Sequence, residues 1–334
     1  MKHYKAIRAH HVARPFEVPH CDELPLKPLK NGQIRLNVIA SPINPADINM
    51  LEGMYVTQPE PPFVLGNEGV GEVVECGPDV SESWLGQRVI VPYQHQEMWD
   101  GWWQEQRVVS IHQCIQVPES ISDEQAAMLS INPITAYELL SSFSALNPGD
   151  WIIQNAANSA LGRWVIYIAK QRGIKTVNVV RRESLTDELM ALGANEVVVD
   201  GPDLATRVSQ KGNCKLALNG VGGESASQLA RCLVPEGYLL TYGAMGRQPV
   251  TLSNALLIYK RIHACGFNRT LWAKDLPLSE LQSRYNQIFE WLTKTPFTLP
   301  IHRQFPLANM NEALRCAQQE QLNGKVLVTI KQSV

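Results

Sequence analysis

The residues of this sequence best suited to binding a charged ligand lie in the stretch from Trp151 to Arg182. It opens with Trp151–Ile153, an apolar run short enough to be a buried strand, and a turn of small residues at 156–162 follows. Apolar residues then recur at helical spacing until Gly173, where a helix would stop, and the β-branched run Thr176–Val180 predicts a second strand. This order is the first half of a dinucleotide-binding unit, whose helix N-terminus offers free N–H groups to a pyrophosphate.

The glycine pattern of that turn is incomplete. Gly162 fits the last glycine of such a fingerprint, whereas Ala156 and Ser159 occupy the two earlier small positions. Ser159 puts a side chain where the backbone should approach the phosphate. From the turn alone, an ordinary βαβ turn of an α/β domain remains an open alternative.

Arg181 and Arg182 make the prediction more specific. They end the second strand, about twenty residues past the turn, where an NAD-binding unit carries an acidic residue for the ribose 2′-OH. Ser184 and Asp187 then predict the capping box of the next helix, whose dipole two adjacent cations would oppose unless an anion is bound. The 2′-phosphate of NADP is such an anion, and guanidinium groups match its geometry. We therefore expect NADP(H), with a solvated surface pair as the alternative.

The elements around this stretch predict two kinds of structure. Residues 1–124 are rich in turns and short strands, which indicates an irregular, mostly antiparallel β domain. Its clearest predicted strands are Gln33–Ala40, Gly69–Glu75 and Gly86–Val91. Ser122–Gln125 then caps an apolar run that is helical in pattern apart from Pro133.

From residue 149 to 267 strands and helices alternate, which predicts a parallel, doubly wound sheet. Its further strands are expected at Glu196–Val199, Leu216–Asn219, Tyr238–Tyr242 and Ile262–Phe267. The last part predicts a helix, a strand, a helix and a strand at Ser279–Thr293, Ile301–Phe305, Asn309–Gln318 and Lys325–Ile330. Strand-rich sequence at both ends predicts that this tail folds back onto the first domain.

The bulk properties fit a two-domain protein of the cytoplasm. The 334 residues suffice for two cores, and the net charge of −2 suggests neither a nucleic-acid nor an anionic-membrane partner. The sequence has no apolar run of about 18 residues, and its start indicates a strand rather than a signal or transit peptide. The seven cysteines are scattered and odd in number, which suits free thiols in a reducing cytosol.

Further motifs are spread along nearly the whole chain: Asn44–Asn49 (NPADIN), Gly53–Tyr55 (GMY), Gly66–Val70 (GNEGV), Asn132–Tyr137 (NPITAY), Gln154–Ser159 (QNAANS), Asn178–Arg181 (NVVR), Ala217–Gly223 (ALNGVGG) and Thr241–Met245 (TYGAM). Their order and separations resemble those of the medium-chain dehydrogenase/reductase superfamily, and within it the 2-enoyl thioester reductases of mitochondrial-type fatty-acid synthesis. The resemblance implies an α/β protein with a GroES-like, mostly β catalytic domain (1–124 with 268–334) and a Rossmann NADP(H)-binding domain (125–267). It also implies a homodimer formed by pairing of Rossmann sheet edges.

The resemblance implies roles for individual residues. Tyr55 matches the proton donor, and Asn44 and Trp272 are assigned to the substrate. The residues matched to NADPH contacts are Asn132, Thr135, Asn158, Ser159, Ala160, Leu161, Arg181, Arg182, Tyr242, Gly243, Ala244, Met245, Phe267, Asn268, Arg269 and Lys325. Asn268 departs from an expected large apolar residue, which puts the shape of the acyl pocket in doubt, and Ala160 departs from a usual glycine.

Zinc is not expected. Zinc-binding members of the superfamily carry Cys at the place of Asn44 and His at that of Asn67, and an amide is a poor zinc ligand. His95 and Glu97 could face the same way on a strand, but a polar surface pair is the simpler interpretation. Trp99, Trp102 and Trp103 either line an acyl or quinone channel or pack the β domain, and the sequence leaves both open.

The reaction implied is NADPH-dependent reduction of the double bond of a trans-2-enoyl thioester, carried on CoA or acyl carrier protein. Hydride goes to the β-carbon, and the α-carbon gains a proton that a phenol, protonated at neutral pH, can supply. A quinone or alkenal reductase shares the fold, the cofactor and the lack of zinc. A non-catalytic NADPH-binding protein is the alternative of another class.

Overall fold

The structure is a computed structural model that describes residues 2–13, 19–55, 58–92, 99–209, 213–274, 276–319 and 322–330. The chain divides into two compact units, residues 1–131 with 273–334, and residues 132–272. Compared with the sequence-based division, 125–131 join the first unit and 268–272 the second. Local contacts fit both shifts. The Tyr285 hydroxyl donates to the Leu129 carbonyl at 3.0 Å within the first unit, and in the second unit the Trp272 ring lies 6.2 Å from that of Phe267, whose N–H donates to the Thr241 carbonyl at 2.9 Å.

The elements are numbered in chain order. The strands are β1 (His3–Ala9), β2 (His20–Pro25), β3 (Gln33–Pro42), β4 (Phe63–Val64), β5 (Val70–Cys76), β6 (Arg88–Ile90), β7 (Gln106–Ser110), β8 (Ile115–Gln116), β9 (Trp151–Gln154), β10 (Lys175–Val180), β11 (Glu196–Val199), β12 (Cys214–Asn219), β13 (Leu233–Thr241), β14 (His263–Gly266), β15 (Ile301–Pro306) and β16 (Lys325–Thr329). The α-helices are α1 (Pro45–Leu51), α2 (Asp123–Ala126), α3 (Asn132–Ser141), α4 (Ala160–Gln171), α5 (Thr186–Leu192), α6 (Leu204–Ser209), α7 (Gly223–Arg231), α8 (Asn254–Ile258), α9 (Arg269–Ala273), α10 (Leu278–Lys294) and α11 (Met310–Ala317).

The first unit is built on two sheets. One has the order β2-β1-β4, and the other has the order β15-β16-β3-β5-β6-β8 with β7 also paired to β3. Pairing is antiparallel except between β15 and β16. The antiparallel pairing of β16 with β3, which sets Thr329 opposite Ala40, confirms that the tail folds back onto the first part of the chain.

The structure differs from the sequence-based expectation at two helical segments of the first half of the chain. No helix was predicted before Ser122, yet Pro45 begins α1, because the first helical position needs no N–H donor. The single run predicted after Ser122 is two helices, α2 and α3. Ser122 caps the first of them through the Gln125 N–H, and Pro133 lies in the first turn of the second, where it is tolerated.

The tryptophan cluster belongs to the core of the first unit. Trp102 and Trp103 are fully buried, and the Ile7 N–H donates to the Trp103 carbonyl at 2.7 Å, which ties the pair to β1. The guanidinium of Arg107 lies 4.4 Å from the centroid of the Trp102 ring. Of the two alternatives left open by the sequence, core packing is therefore confirmed for Trp102 and Trp103.

The second unit contains one sheet of order β11-β10-β9-β12-β13-β14, in which every neighbouring pair is parallel. The predicted doubly wound sheet is thus confirmed. The order reverses between β9 and β12, and ligands of such sheets bind outside the carboxyl ends of the strands at this point. Among the described residues, no helix has both the length and the apolarity that a membrane span requires.

Candidate functional site

The turn after β9 is shaped by three small residues. Ala156 has a φ of +49°, the left-handed conformation in which the fingerprint would carry glycine. Gly162 allows the closest approach, since a Cβ there would lie 2.5 Å from the Ala157 carbonyl oxygen. The Ser159 hydroxyl is turned back to accept the Gly162 N–H at 3.1 Å, so it caps α4. The predicted tight turn into a helix is therefore present despite its unusual residues.

Arg181 and Arg182 follow β10 directly, and β10 is the parallel neighbour of β9. Both arginines thus stand at the same edge of the sheet as the turn. The predicted capping box at Ser184 and Asp187 is wrong, because Glu183–Leu185 form a 3-10 turn and α5 begins at Thr186 without a side-chain cap.

Two buried asparagines tie neighbouring strand ends together at this edge. The Asn155 amide donates to the Asn219 side chain at 2.9 Å and accepts the Gly220 N–H at 2.7 Å. Asn219 donates to the Thr241 hydroxyl at 3.1 Å and accepts the Gly222 N–H at 2.9 Å. The ends of β9, β12 and β13 are therefore held in one hydrogen-bonded arrangement.

The loop Tyr242–Met245 is held against the end of β12. The Tyr242 N–H donates to the Asn219 carbonyl at 3.0 Å, and the Met245 N–H donates to the Gly220 carbonyl at 3.0 Å. Burial raises the pKa of the Tyr242 phenol, and its hydroxyl packs so closely on Gly220 that a Cβ there would lie 2.6 Å away. Gly243 and Ala244 complete this loop, and Met245 is exposed.

The predicted cofactor residues near 267 form a second local group. Phe267 is buried, and its ring lies 6.0 Å from that of Phe143 and 6.2 Å from that of Trp272. The Asn268 side chain accepts the Leu271 N–H at 3.0 Å at the start of α9. Capping explains the amide at the position where a large apolar residue was expected. Arg269 is the first residue of α9.

Asn132 and Thr135 lie one turn apart on α3, on one helix face. Both are buried, and among the described residues neither the Asn132 amide nitrogen nor the Thr135 hydroxyl has a hydrogen-bond partner. Buried polar groups are normally paired, since an unmade hydrogen bond costs about 1–3 kcal/mol. A donor and a hydroxyl left open in this way fit a polar ligand group such as a carboxamide.

Tyr55 lies in the first unit, directly after α1. The chain turns at Gly53, which has a φ of +67°, and the Met54 N–H donates to the Asn49 carbonyl at 2.8 Å. The Gln58 amide donates to the Met50 carbonyl at 2.7 Å. The ring of Tyr55 is half-buried against the core of the first unit. The position of Tyr55 therefore depends on that of α1.

A buried polar cluster fixes α1. We use this term for Asn44, Asp47, Asn67, Glu68 and Lys325. The fully buried Asp47 carboxylate accepts the Asn44 N–H at 2.7 Å, the Asn67 amide at 2.7 Å and the Asn67 N–H at 3.0 Å. Asn44 donates to Glu68 at 3.0 Å and accepts from the Lys325 ammonium. Both functional groups of the Asn44 amide are thus engaged within the cluster.

Three ionisable side chains of this cluster, Asp47, Glu68 and Lys325, lie close together, and burial opposes the charged forms of Asp47 and Lys325. Burial raises the pKa of Asp47 to about 6, against the opposing effects of the hydrogen bonds from Asn44 and Asn67 and the charge of Lys325. Burial likewise lowers the pKa of Lys325, and Glu68 and Asp47 oppose that shift. The ammonium of Lys325 is therefore a counter-charge to two buried carboxylates.

Sequence reasoning missed Asp47 and Asn219 as site residues. Both lie in motifs that carry the family resemblance, NPADIN and ALNGVGG, but neither was assigned a role. Asp47 is the third residue of a helix that was not predicted, and Asn219 ends a predicted strand. The signal for both is a polar residue surrounded by apolar sequence. Among the described residues, no group of three His, Cys, Asp or Glu side chains could hold a metal ion. His95 and Glu97 lie outside the described residues.

Comparison with known proteins gives concordant results for the two parts of the chain. Residues 30–119 match the alcohol dehydrogenase GroES-like domain, and residues 160–289 match the zinc-binding dehydrogenase model. The chain is 36% identical over 328 residues to the mitochondrial enoyl-[acyl-carrier-protein] reductase of Homo sapiens, covering 96% of this chain and 87% of the relative.

Solved structures are similar over almost the full length. The complex of Etr1p with NADP and crotonyl-CoA has a TM-score of 0.88 at 28% identity, covering 98% of this chain and 100% of that one. A proposed NADPH:quinone reductase from Bacillus thuringiensis has a TM-score of 0.90 at 26% identity, covering 99% and 100%.

The Asp47 carboxyl should make stability depend on pH. Its pKa is raised in the folded state, so its contribution is fully present below about pH 4 and is lost as the pH rises through about 6. Between pH 4.5 and 7 the unfolding free energy of the wild type should fall by roughly 1–3 kcal/mol relative to Asp47→Asn, measured by denaturant titration. Asp203→Asn, at an exposed carboxylate, is the control. A difference that stays constant or grows with pH would contradict this account.

Proposed function

We propose that this chain, which belongs to the family of the mitochondrial enoyl-[acyl-carrier-protein] reductases within the medium-chain dehydrogenase/reductase superfamily, reduces the double bond of trans-2-enoyl thioesters with NADPH. The observation that carries the proposal is the 36% identity to such a reductase over 96% of the chain. The likeness to a structure that holds NADP and crotonyl-CoA supports the same chemistry. Fatty-acid synthesis is the pathway we propose, with the acyl group on CoA or on acyl carrier protein.

The second unit is the proposed holder of the cofactor. The turn Asn158–Leu161 would bind the pyrophosphate at the α4 N-terminus, and Arg181 with Arg182 would bind the 2′-phosphate. The unpaired amide of Asn132 and hydroxyl of Thr135 suit the nicotinamide carboxamide, and the loops 242–245 and 267–269 would border the ring. The Lys325 ammonium donates to the Asn44 side chain. We propose that Lys325 contacts the cofactor only if it gives up this hydrogen bond.

The proposed reaction needs two transfers, a hydride to the β-carbon and a proton to the α-carbon of the enoyl thioester. When bound, NADPH would supply the hydride for the β-carbon of the enoyl thioester. As negative charge developed on the thioester oxygen, Tyr55 would donate a hydrogen bond to that oxygen or a proton to the α-carbon. The ring of Tyr55 is half-buried against the core of the first unit, and this packing would restrict the positions open to its hydroxyl. Trp272 would contact the acyl group, and the Asn44 amide would act by fixing α1.

A quinone reductase activity is the second candidate. It is favoured by the TM-score of 0.90 against a protein described in those terms. NADPH oxidation with crotonyl-CoA, a long enoyl-CoA, a quinone and an alkenal separates the two, and we expect the enoyl thioesters to be the better substrates. Tight NADPH binding without turnover of any of them would indicate a non-catalytic protein. Activity without zinc and a cytoplasmic location both stay predictions.

We also propose a homodimer through β14. This strand is an edge of the six-stranded sheet, and its residues are mostly exposed. The neighbouring α8 and the residue after it expose Ile258 and Tyr259, at 64% and 82%. An exposed strand edge beside apolar side chains favours pairing with a second copy. Sedimentation should give a dimer for the wild type and a monomer for Ile258→Lys, and a monomeric wild type would exclude this interface.

Replacing Arg181 and Arg182 together by Ala should change the choice of cofactor. Charge-assisted hydrogen bonds contribute about 1.5–3 kcal/mol each, and part of that is lost at an open pocket. The Michaelis constant for NADPH should therefore rise roughly ten- to a hundredfold, while NADH kinetics barely change. Arg231→Ala, at the far end of α7, is the control. A double variant that keeps the original preference for NADPH would show that other residues bind the 2′-phosphate.

Tyr55→Phe should affect the chemical step. The change removes the hydroxyl and leaves the ring packed, so the KM for the enoyl thioester and the affinity for NADPH should hardly move. Because general acid catalysis typically supplies 10²–10⁴-fold, kcat should fall about a hundredfold or more. A tenfold loss would make Tyr55 an orienting residue, and an unchanged kcat would end the catalytic assignment. Tyr4→Phe is the matched control.

A further inference from the structure

One charged side chain in the second unit is not explained by the proposed contacts with NADPH. Arg163 lies in the otherwise apolar first half of α4 and is 5% exposed. Its Nε donates to the Asn158 carbonyl at 3.0 Å, and its terminal nitrogen lies 2.9 Å from the Glu188 carboxylate. A buried guanidinium is costly unless it is paired in this way, so the position of the group is well determined.

The two partners of Arg163 belong to different parts of the proposed cofactor site. Asn158 lies in the turn that would bind the pyrophosphate. Glu188 lies in α5, the helix that follows Arg181 and Arg182 through one 3-10 turn. Arg163 therefore connects the backbone of the first subsite with the element that carries the second.

The region between these partners is tightly packed. A small apolar cluster joins the turn, the end of β10 and α5, and it consists of Ala157, Ile166, Val180, Leu185, Leu189 and Ala194. The Ala157 N–H also donates to the Val179 carbonyl at 3.3 Å. Beside this apolar cluster, the two polar contacts of Arg163 give a directional link between the turn, at the Asn158 carbonyl, and α5, at Glu188.

We propose that Arg163 is a positioning residue that fixes the separation of the pyrophosphate turn and the 2′-phosphate arginines, and that it thereby contributes to the preference for NADPH over NADH. This rests on the proposed binding of the 2′-phosphate by Arg181 and Arg182. NADPH would bind to the pyrophosphate turn and the 2′-phosphate arginines at the same time. Its contact with the arginines is favourable only if these two subsites are held at the right distance. Of these two subsites NADH uses only the turn, so its affinity does not depend on their separation.

A direct contact of Arg163 with the pyrophosphate is the competing explanation. It predicts that NADPH and NADH lose affinity by the same factor when Arg163 is replaced, because both carry the pyrophosphate. A purely structural role predicts lower thermal stability with an unchanged ratio of the two affinities. The ratio of the dissociation constants for NADH and NADPH therefore separates positioning from both alternatives.

The test is equilibrium binding of NADPH, NADH and 2′-AMP to Arg163→Met, Glu188→Gln and the wild type. For Arg163→Met we expect NADPH to bind about tenfold more weakly, equal to ~1.4 kcal/mol, and NADH to change less than threefold. The affinity for 2′-AMP, which reaches only the arginine subsite, should be unchanged. Glu188→Gln keeps the buried arginine and replaces Arg163→Met in the test if that variant fails to fold. For Glu188→Gln the ratio of the NADH and NADPH dissociation constants should fall about threefold.

Two controls keep the outcomes distinct. Arg172→Met removes a half-buried arginine at the other end of α4. In the wild type this arginine donates to the Leu140 carbonyl at 2.8 Å, and the ratio should stay at the wild-type value in the variant.

The Arg181→Ala, Arg182→Ala variant tests the 2′-phosphate site itself. If that variant lowers the ratio and neither Arg163→Met nor Glu188→Gln does, the positioning role is wrong while the cofactor site stands. If the double variant leaves the ratio unchanged, the assignment of the 2′-phosphate site fails, and the positioning role fails with it.

Discussion

The Asp47 carboxylate, fully buried and accepting three hydrogen bonds, is the contact on which the proposed catalytic side of the protein depends. Two of these bonds come from Asn67 and one from Asn44, so one carboxylate joins α1 to the loop before β5. Tyr55 follows α1 after a single tight turn, so its backbone position is set by that of α1. A change in the protonation or hydrogen bonding of Asp47 would therefore move α1 and, through the backbone, the proposed proton donor Tyr55.

The second unit uses the same physical device. The side chains of Asn155 and Asn219 hold three strand ends together, and Arg163 holds the turn after β9 to α5. Each of these three side chains is a buried polar group that bonds to backbone groups or single side chains. Because those partners are fixed in place, the hydrogen bonds offset the desolvation cost in one geometry only. Loops that must present N–H groups and arginines to phosphates are thereby fixed before a ligand arrives, which lowers the entropy cost of binding.

Two positions of the buried polar cluster differ in chemistry from what the family resemblance implies for zinc-binding members of the superfamily, which would carry metal ligands at the places of Asn44 and Asn67. Here Asn44 connects Glu68 to the ammonium of Lys325, and Asn67 donates to Asp47. Positive charge beside two buried carboxylates is supplied by a side chain from β16, which also completes the sheet by pairing with β3. The returning tail thus contributes to folding and to charge balance at once.

The sequence was sufficient for the elements with strong periodicity and insufficient for the contacts between them. The strand Glu196–Val199 was predicted to the residue, because it is β-branched and follows a helix signal. The helix at Pro45 was missed, since seven residues beginning with proline resemble a loop, and the capping box at Ser184 failed because a 3-10 turn precedes α5. Arg163 gave no interpretable signal, because a buried ion pair is defined by a partner 25 positions away that the sequence does not identify.

The most direct test of the account follows the two hydrogens into the product. Crotonyl-CoA is reduced in ordinary water with NADPH that carries deuterium at both C4 positions, and in parallel with unlabelled NADPH in deuterated water. The butyryl-CoA formed is analysed by mass spectrometry and NMR. The account predicts one deuterium at the β-carbon in the first reaction and one at the α-carbon in the second. Absence of butyryl-CoA, while a quinone oxidises NADPH rapidly, would contradict the proposed reaction.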